Sequence, residues 1–116
     1  MRLGELIEQL EAVLDKTENV WIEPFNLVPT DFESYRGYYY ELSLAYELDS
    51  RCTVQELLDN AKRCIGVEFT GYKGGEFIMD ESTPIWISNY GRVTNQKLSR
   101  IDVTGWGVYL HTRSED

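Results

Sequence analysis

From Tyr38 to Leu48 the side chains alternate: Tyr38, Tyr40, Leu42, Leu44, Tyr46 and Leu48 interleave with Tyr39, Glu41, Ser43, Ala45 and Glu47. A period of two marks a β-strand with one face toward a core, and a strand must find neighbours for its backbone N–H and C=O groups. This run therefore commits the chain to a sheet. Candidate partners are the short apolar stretches Val20–Ile22, Val67–Thr70, Glu76–Met79, Pro84–Ser88, Ser99–Val103 and Val108–His111. Gly71–Gly75 reads as a hairpin turn, Asn89-Tyr90-Gly91 as a second turn, and Gly105-Trp106-Gly107 joins the last two strands. From Phe25 to Ser34, with Pro24 just before it, Pro29 within it and Asp31 and Ser34 as turn formers, the segment reads as an ordered loop anchored by Phe25, Leu27, Val28 and Phe32. Ser114, Glu115 and Asp116 read as a frayed tail.

Two segments carry the helical period instead. Leu3, Leu6, Ile7, Leu10, Val13 and Leu14 predict an amphipathic helix from Arg2 to Asp15, with Glu5, Glu8, Glu11 and Asp15 on its outer face. The second lies between Cys52 and Cys64, where Thr53 and Glu56 have capping-box spacing and Val54, Leu57, Leu58, Ala61 and Ile65 recur on one face. Gly66 supplies its stop. Two amphipathic helices and about six or seven short strands define an α+β class, with a mainly antiparallel sheet and the helices on one face. No repeat or linker divides residues 1–116, so a single domain is expected.

Composition narrows the function. No apolar run nears the ~20 residues that span a membrane, and no leader pattern follows Met1, so a cytoplasmic protein without membrane attachment is expected. The net charge of −9 excludes general nucleic-acid binding. The charge is uneven, however. Residues 1–58 hold 12 acids and 4 bases, and residues 59–116 hold 8 and 7. A phosphate could still be held locally in the nearly neutral second half.

Catalytic equipment is sparse. On a helix Cys52 and Cys64 lie about 18 Å apart, too far for a disulfide, so they read as reduced residues at helix ends, with a reactive thiol as the alternative. One histidine and two distant cysteines do not make a zinc site. His111 reads as an ordinary edge-strand residue, and Asp80 and Glu81 as turn caps. No P-loop or GxGxxG motif is present. No catalytic residue, metal or cofactor is therefore expected.

Three segments carry groups suited to a small polar ligand. Ser34–Tyr40 sets Arg36 among four tyrosines, including Tyr38; a guanidinium grips phosphate and phenol rings stack on bases. Read structurally, the tyrosines cover the core and Arg36 pairs with an acid such as Glu33. Thr70–Glu76 offers a glycine turn with bare N–H groups beside Tyr72 and Lys73, though a hairpin needs glycines anyway. In Thr83–Arg92, Trp86 and Ser88 share one strand face and Ile85 and Ile87 the other. If the isoleucines face the core, Trp86 is exposed or lies in a groove, with Asn89 and Arg92 nearby; if Trp86 faces in, the isoleucines need cover instead. The candidate ligand-binding residues are thus Arg36, Tyr38, Tyr72, Lys73, Trp86, Asn89 and Arg92, on their chemistry alone. Glu5, Glu8, Glu11 and Asp15 form a separate acidic row, either a solvated face or an imitation of a phosphate backbone.

The phrases PTDFESYRGYYYELSLAY, FTGYKGGEFIMD and TPIWISNYG resemble a family of short proteins encoded by tailed bacteriophages, over roughly Met1 to Arg92. The resemblance implies action on a host process in the host cytoplasm. One counter-defence class consists of non-enzymatic sponges that bind cyclic or ADP-ribose-type nucleotide signals, and closing a pocket on so small a chain implies a homo-oligomer. The alternatives are an acidic protein-binding inhibitor (a DNA mimic or anti-CRISPR) of a host defence protein, a signal-cleaving enzyme, and a virion component.

Overall fold

The computed structural model describes residues 1–23, 26–34, 41–70, 76–89 and 92–114, without the side chains of 34, 69–70, 76–77, 89 and 92–94. The element order is α1 (Leu3–Glu11), β1 (Val20–Ile22), β2 (Val28–Ser34), β3 (Leu42–Glu47), α2 (Val54–Cys64), β4 (Glu68–Thr70), β5 (Glu76–Ile78), β6 (Ile85–Asn89), β7 (Arg92–Val103) and β8 (Val108–Ser114). Six strands form one sheet in the order β1-β8-β7-β6-β3-β2, and β4 and β5 form a separate hairpin. The α+β class expected from the sequence is the fold.

The sheet is mixed. β2–β3, β6–β7 and β7–β8 pair antiparallel, while β1–β8 and β3–β6 pair parallel. Parallel neighbours need a long crossover, which α2 and the β4–β5 hairpin supply between β3 and β6. The two outermost strands approach each other: Ile22 N donates to Leu27 O at 2.6 Å and Leu27 N to Ile22 O at 3.1 Å. The sheet thus curls nearly into a barrel.

Its inner face and the helices share one core. Leu3, Leu6 and Leu10 of α1 and Val54, Leu57, Leu58 and Ala61 of α2 cluster with Ile22, Leu42, Leu44, Ile85, Ile87, Leu98 and Leu110 of the sheet. α2 is capped as its sequence requires: Thr53 Oγ1 accepts from Glu56 N at 3.2 Å, and Glu56 Oε1 accepts from Thr53 N at 3.3 Å. Gly66 follows at φ 73° and donates to Met79 O at 2.8 Å. The start of α1 is tied to the turn before β6, with Leu3 N donating to Thr83 O at 2.8 Å and Gly4 N to Glu81 O at 2.9 Å.

Several boundaries differ from the expectation. α1 ends at Glu11, four residues early, because Lys16 Nζ takes the carbonyls of Glu11 and Val13 while Asp15 Oδ1 accepts from Thr17 N at 2.9 Å. A local Asx turn thereby competes with the next helical turn. Leu14 is left wholly exposed. The segment from Val28 to Ser34, read as loop, is strand β2. It tolerates Pro29 because it is the sheet's outermost strand and its register shifts between Pro29 and Phe32. β7 begins at Arg92 rather than Ser99, and Ser114 belongs to β8 rather than to a tail. β8 lies between β1 and β7, so His111 is on an interior strand, not an edge. Tyr38–Tyr40, the start of the alternating run, lie outside the described residues.

Candidate functional site

β6 decides between the two orientations left open for Trp86. Ile85 and Ile87 point into the core, so Trp86 lies on the opposite sheet face, yet it is only 9% exposed. Its strand neighbours on that face are fixed by register. Glu33 of β2 pairs with Ser43 of β3, Ser43 with Trp86, Trp86 with Lys97 of β7, and Lys97 with Arg113 of β8. Directly paired residues project to the same side of a sheet, so these five form one row across five strands. Adjacent strands are spaced by ~4.8 Å, which puts the ends of the row about 19 Å apart.

The row is chemically graded. At one end stands the carboxylate of Glu33, whose Oε1 is buried without a hydrogen-bond partner. Next comes Ser43, 1% exposed, its hydroxyl equally unpartnered. The Trp86 indole occupies the centre. Lys97 Nζ lies 5.3 Å from the Trp86 ring centroid, a cation–π distance. Arg113 completes the cationic end. A twist in β7 helps to place Lys97: the β6–β7 register shifts between Ile87 and Ser88, where Asn95 takes φ 57°.

Of the seven candidate ligand residues, Trp86 sits in this row. Asn89 and Arg92 pair with each other where β6 passes into β7; their backbones are described and their side chains are not. Arg36, Tyr38, Tyr72 and Lys73 lie outside the described residues. Ser43, Lys97 and Arg113 were not singled out from the sequence, and Glu33 only as a partner for Arg36. Ser43 had a signal, since its place in the alternation puts it opposite Leu42 and Leu44. Lys97 had none, because residues 92–98 did not read as strand.

A second cluster lies farther along the same strands. His111 Nε2 is 2.7 Å from Asp102 Oδ2, and Arg100 Nη1 donates to both Asp102 oxygens at 2.9 Å. Beside it Trp21 stacks on Tyr109 with ring centroids 5.4 Å apart. The His111–Asp102 contact links β8 to β7 and the Trp21–Tyr109 stack links β1 to β8, while Arg100–Asp102 lies within β7. Asp80 caps its turn as expected, accepting from Ser82 N at 2.8 Å.

The acidic row of α1 borders a groove of about 600 Å³, lined by Arg2, Glu5, Ile7, Glu8, Glu11 and Glu81, among others. Asp15 is not part of it, since α1 stops short. Both cysteines are free and buried. Burial pushes the Cys52 thiol up to about 12, with the Glu56 carboxylate adding to the effect, and pushes Cys64 up to about 11 against the opposing pull of Arg63. At neutral pH neither is a thiolate, which removes the nucleophile from the reactive-thiol reading. Among the described residues no group of three His, Cys, Asp or Glu side chains is placed to hold a metal ion. Among them, too, no helix is long and apolar enough to cross a membrane.

Fold and face together describe a small α+β protein with a curled mixed sheet and a graded polar row on its outer side. No family model, curated protein or solved structure matches the chain.

Proposed function

We propose that this chain is a non-enzymatic binding protein that sequesters a small nucleotide signal of the cyclic or ADP-ribose type, as a phage counter-defence protein in the host cytoplasm. The observation that carries the reading is the Trp86–Lys97 pair beside the buried Ser43 hydroxyl. The row carries the kinds of group among which a small-ligand site divides its labour: an aromatic ring, an ammonium that meets phosphate and a hydroxyl that fixes orientation. Arg36, Tyr38, Tyr72, Lys73, Asn89 and Arg92 are proposed to complete the site, with a second copy of the chain closing it as a homo-oligomer. On this reading the ligand is released unchanged.

Isothermal titration against cyclic nucleotides and cyclic ADP-ribose isomers tests this. The expected result is saturable heat with at least one member, weakened roughly tenfold by Lys97→Ala, and intact ligand recovered after heat denaturation of the protein. No heat with any member refutes the proposal.

The groove beside α1 supports a second reading, a protein-binding inhibitor that presents Glu5, Glu8, Glu11 and Glu81 to a basic host defence protein. On that reading, reversing Glu5, Glu8 and Glu11 to Lys abolishes counter-defence while Lys97→Ala leaves it intact. The site reading requires the opposite pattern.

A further inference from the structure

The curled sheet does not close along its whole seam. β1 meets the start of β2 at Ile22 and Leu27, where two backbone hydrogen bonds join them. It meets the segment before α2 at Cys52, whose carbonyl accepts from Val20 N at 2.8 Å. Residues next to these ties line a cavity of about 200 Å³. Val20, Trp21, Val28 and Cys52 give it an apolar lining, while Asn19, Ser50 and Arg51 bring an amide, a hydroxyl and a guanidinium. Acids outnumber bases in this half of the chain, yet among the described residues no carboxylate pairs with Arg51. The lining is set in advance. Trp21 is stacked on Tyr109 and lies so close to Gly107 that a Cβ there would come within 2.5 Å of its ring. Asp49 turns the chain at φ 50° between β3 and α2 and brings Ser50 and Arg51 to the seam.

We propose that this seam cavity binds a small organic carboxylate, with its anionic end on Arg51 and an apolar body the size of a single ring against the apolar lining. The site is separate from the Trp86 row and does not depend on the nucleotide reading. Size sets the first limit. Drug-sized ligands occupy pockets of about 300–1,000 Å³, so a cavity of about 200 Å³ admits a smaller molecule and excludes a whole nucleotide. Charge sets the second. A guanidinium fork matches two oxygens of either a carboxylate or a phosphate. Among the lining residues, however, Arg51 is the one cation, and Glu18 and Asp49 adjoin the lining in the chain. One positive charge balances a monoanion. A phosphate monoester, at about −1.5 to −2 near neutral pH, would bring excess negative charge into acidic surroundings. Hydrogen bonding sets the third. A carboxylate has about four lone-pair sites, more than one fork fills, and Asn19 and Ser50 each offer a further donor. Cys52 does not oppose the anion: burial raises its thiol to about 12, so at neutral pH the sulfur is a small apolar surface. With the Trp21 ring and both backbone ties already in place, little further ordering accompanies binding.

The test is a proton–nitrogen NMR titration of the full chain with benzoate, benzamide and inorganic phosphate, repeated on Arg51→Gln. Benzoate shifts the backbone amides of Asn19, Val20, Trp21, Val28, Ser50, Arg51 and Cys52 saturably. Benzamide has the same ring and no charge, and binds roughly tenfold or more weakly, as the loss of a hydrogen bond to a charged group provides. Inorganic phosphate, which has no apolar body, shifts these amides no more than benzamide does. Arg51 is exposed, so Arg51→Gln leaves the remaining amide spectrum in place; it weakens benzoate roughly tenfold and benzamide less than about twofold. No shift at these amides, equal affinity for benzoate and benzamide, or an unchanged benzoate affinity in Arg51→Gln overturns the site. Phosphate binding as tightly as benzoate overturns the carboxylate as its ligand.

Discussion

Gly107 is the position where the smallest substitution should do the most damage. It immediately precedes β8 at φ 153°, a conformation that residues with a Cβ rarely adopt. A Cβ built there lies 2.5 Å from Trp21 Cζ3 and 2.9 Å from the Asn19 carbonyl oxygen. Neither neighbour can retreat freely. The Trp21 ring stacks against Tyr109, and Asn19 O accepts the Val108 N–H at 2.9 Å, the bond that starts the parallel β1–β8 pairing. Backbone strain of about 1–3 kcal/mol adds to overpacking of about 1–3 kcal/mol, so Gly107→Ala should destabilise by about 4 kcal/mol. Two other glycines separate these contributions. Gly66, at φ 73° with open space around its missing Cβ, isolates the strain, about 1–2 kcal/mol. Gly105 has open space and no unusual φ, and its alanine variant should change stability by less than about 0.5 kcal/mol. Urea unfolding followed by tryptophan fluorescence reads all three. With a slope of about 1–3 kcal/mol per molar, the Gly107 variant should lose roughly 2 M in midpoint. A midpoint equal to that of Gly105→Ala would refute the collision at Trp21 and Asn19.

The end of α1 gives a paired comparison four residues apart. Leu10→Ala, in the core, should cost about 2–5 kcal/mol, and Leu14→Ala, wholly exposed, less than about 0.5 kcal/mol; similar losses at both would place Leu14 under cover. The thiols predict an alkaline limit. Both are raised in the folded chain, so their contribution is fully present below the ordinary value of 9 and is lost as pH climbs toward about 11 for Cys64 and about 12 for Cys52. The urea midpoint should therefore fall between pH 9 and 11, and the double alanine variant should fall less steeply. An identical slope would show that the thiols are already exposed to water.

What the sequence made legible was local. α2 could be read almost to the residue because Thr53, Glu56 and Gly66 act within a few positions of one another. β2 could not, since Pro29 is tolerated only on an outermost strand with a register shift, and neither fact is visible before the strand order is known. The first half of β7 was hidden for a related reason: Asn95 sits at an irregularity that interrupts the alternation. Trp86 was recognisable as an unusual use of a large ring, but its neighbours were not. Ser43, Lys97 and Glu33 belong to three other strands, and only long-range pairing brings them into one row with it.

The position of β8 has a consequence for how the chain is made. Val20 of β1 pairs with Val108 of β8, 88 residues later. During synthesis β1 must wait for all the intervening strands before its sheet partner exists. Contacts so distant in sequence are slow to form, and sheet closure becomes a single late event rather than a stepwise accretion from the N-terminus. Until then β7, at 12 residues the longest strand described, is an open edge able to recruit a neighbouring nascent chain. The vulnerable period in the life of this protein is the interval between the appearance of β7 and the arrival of β8.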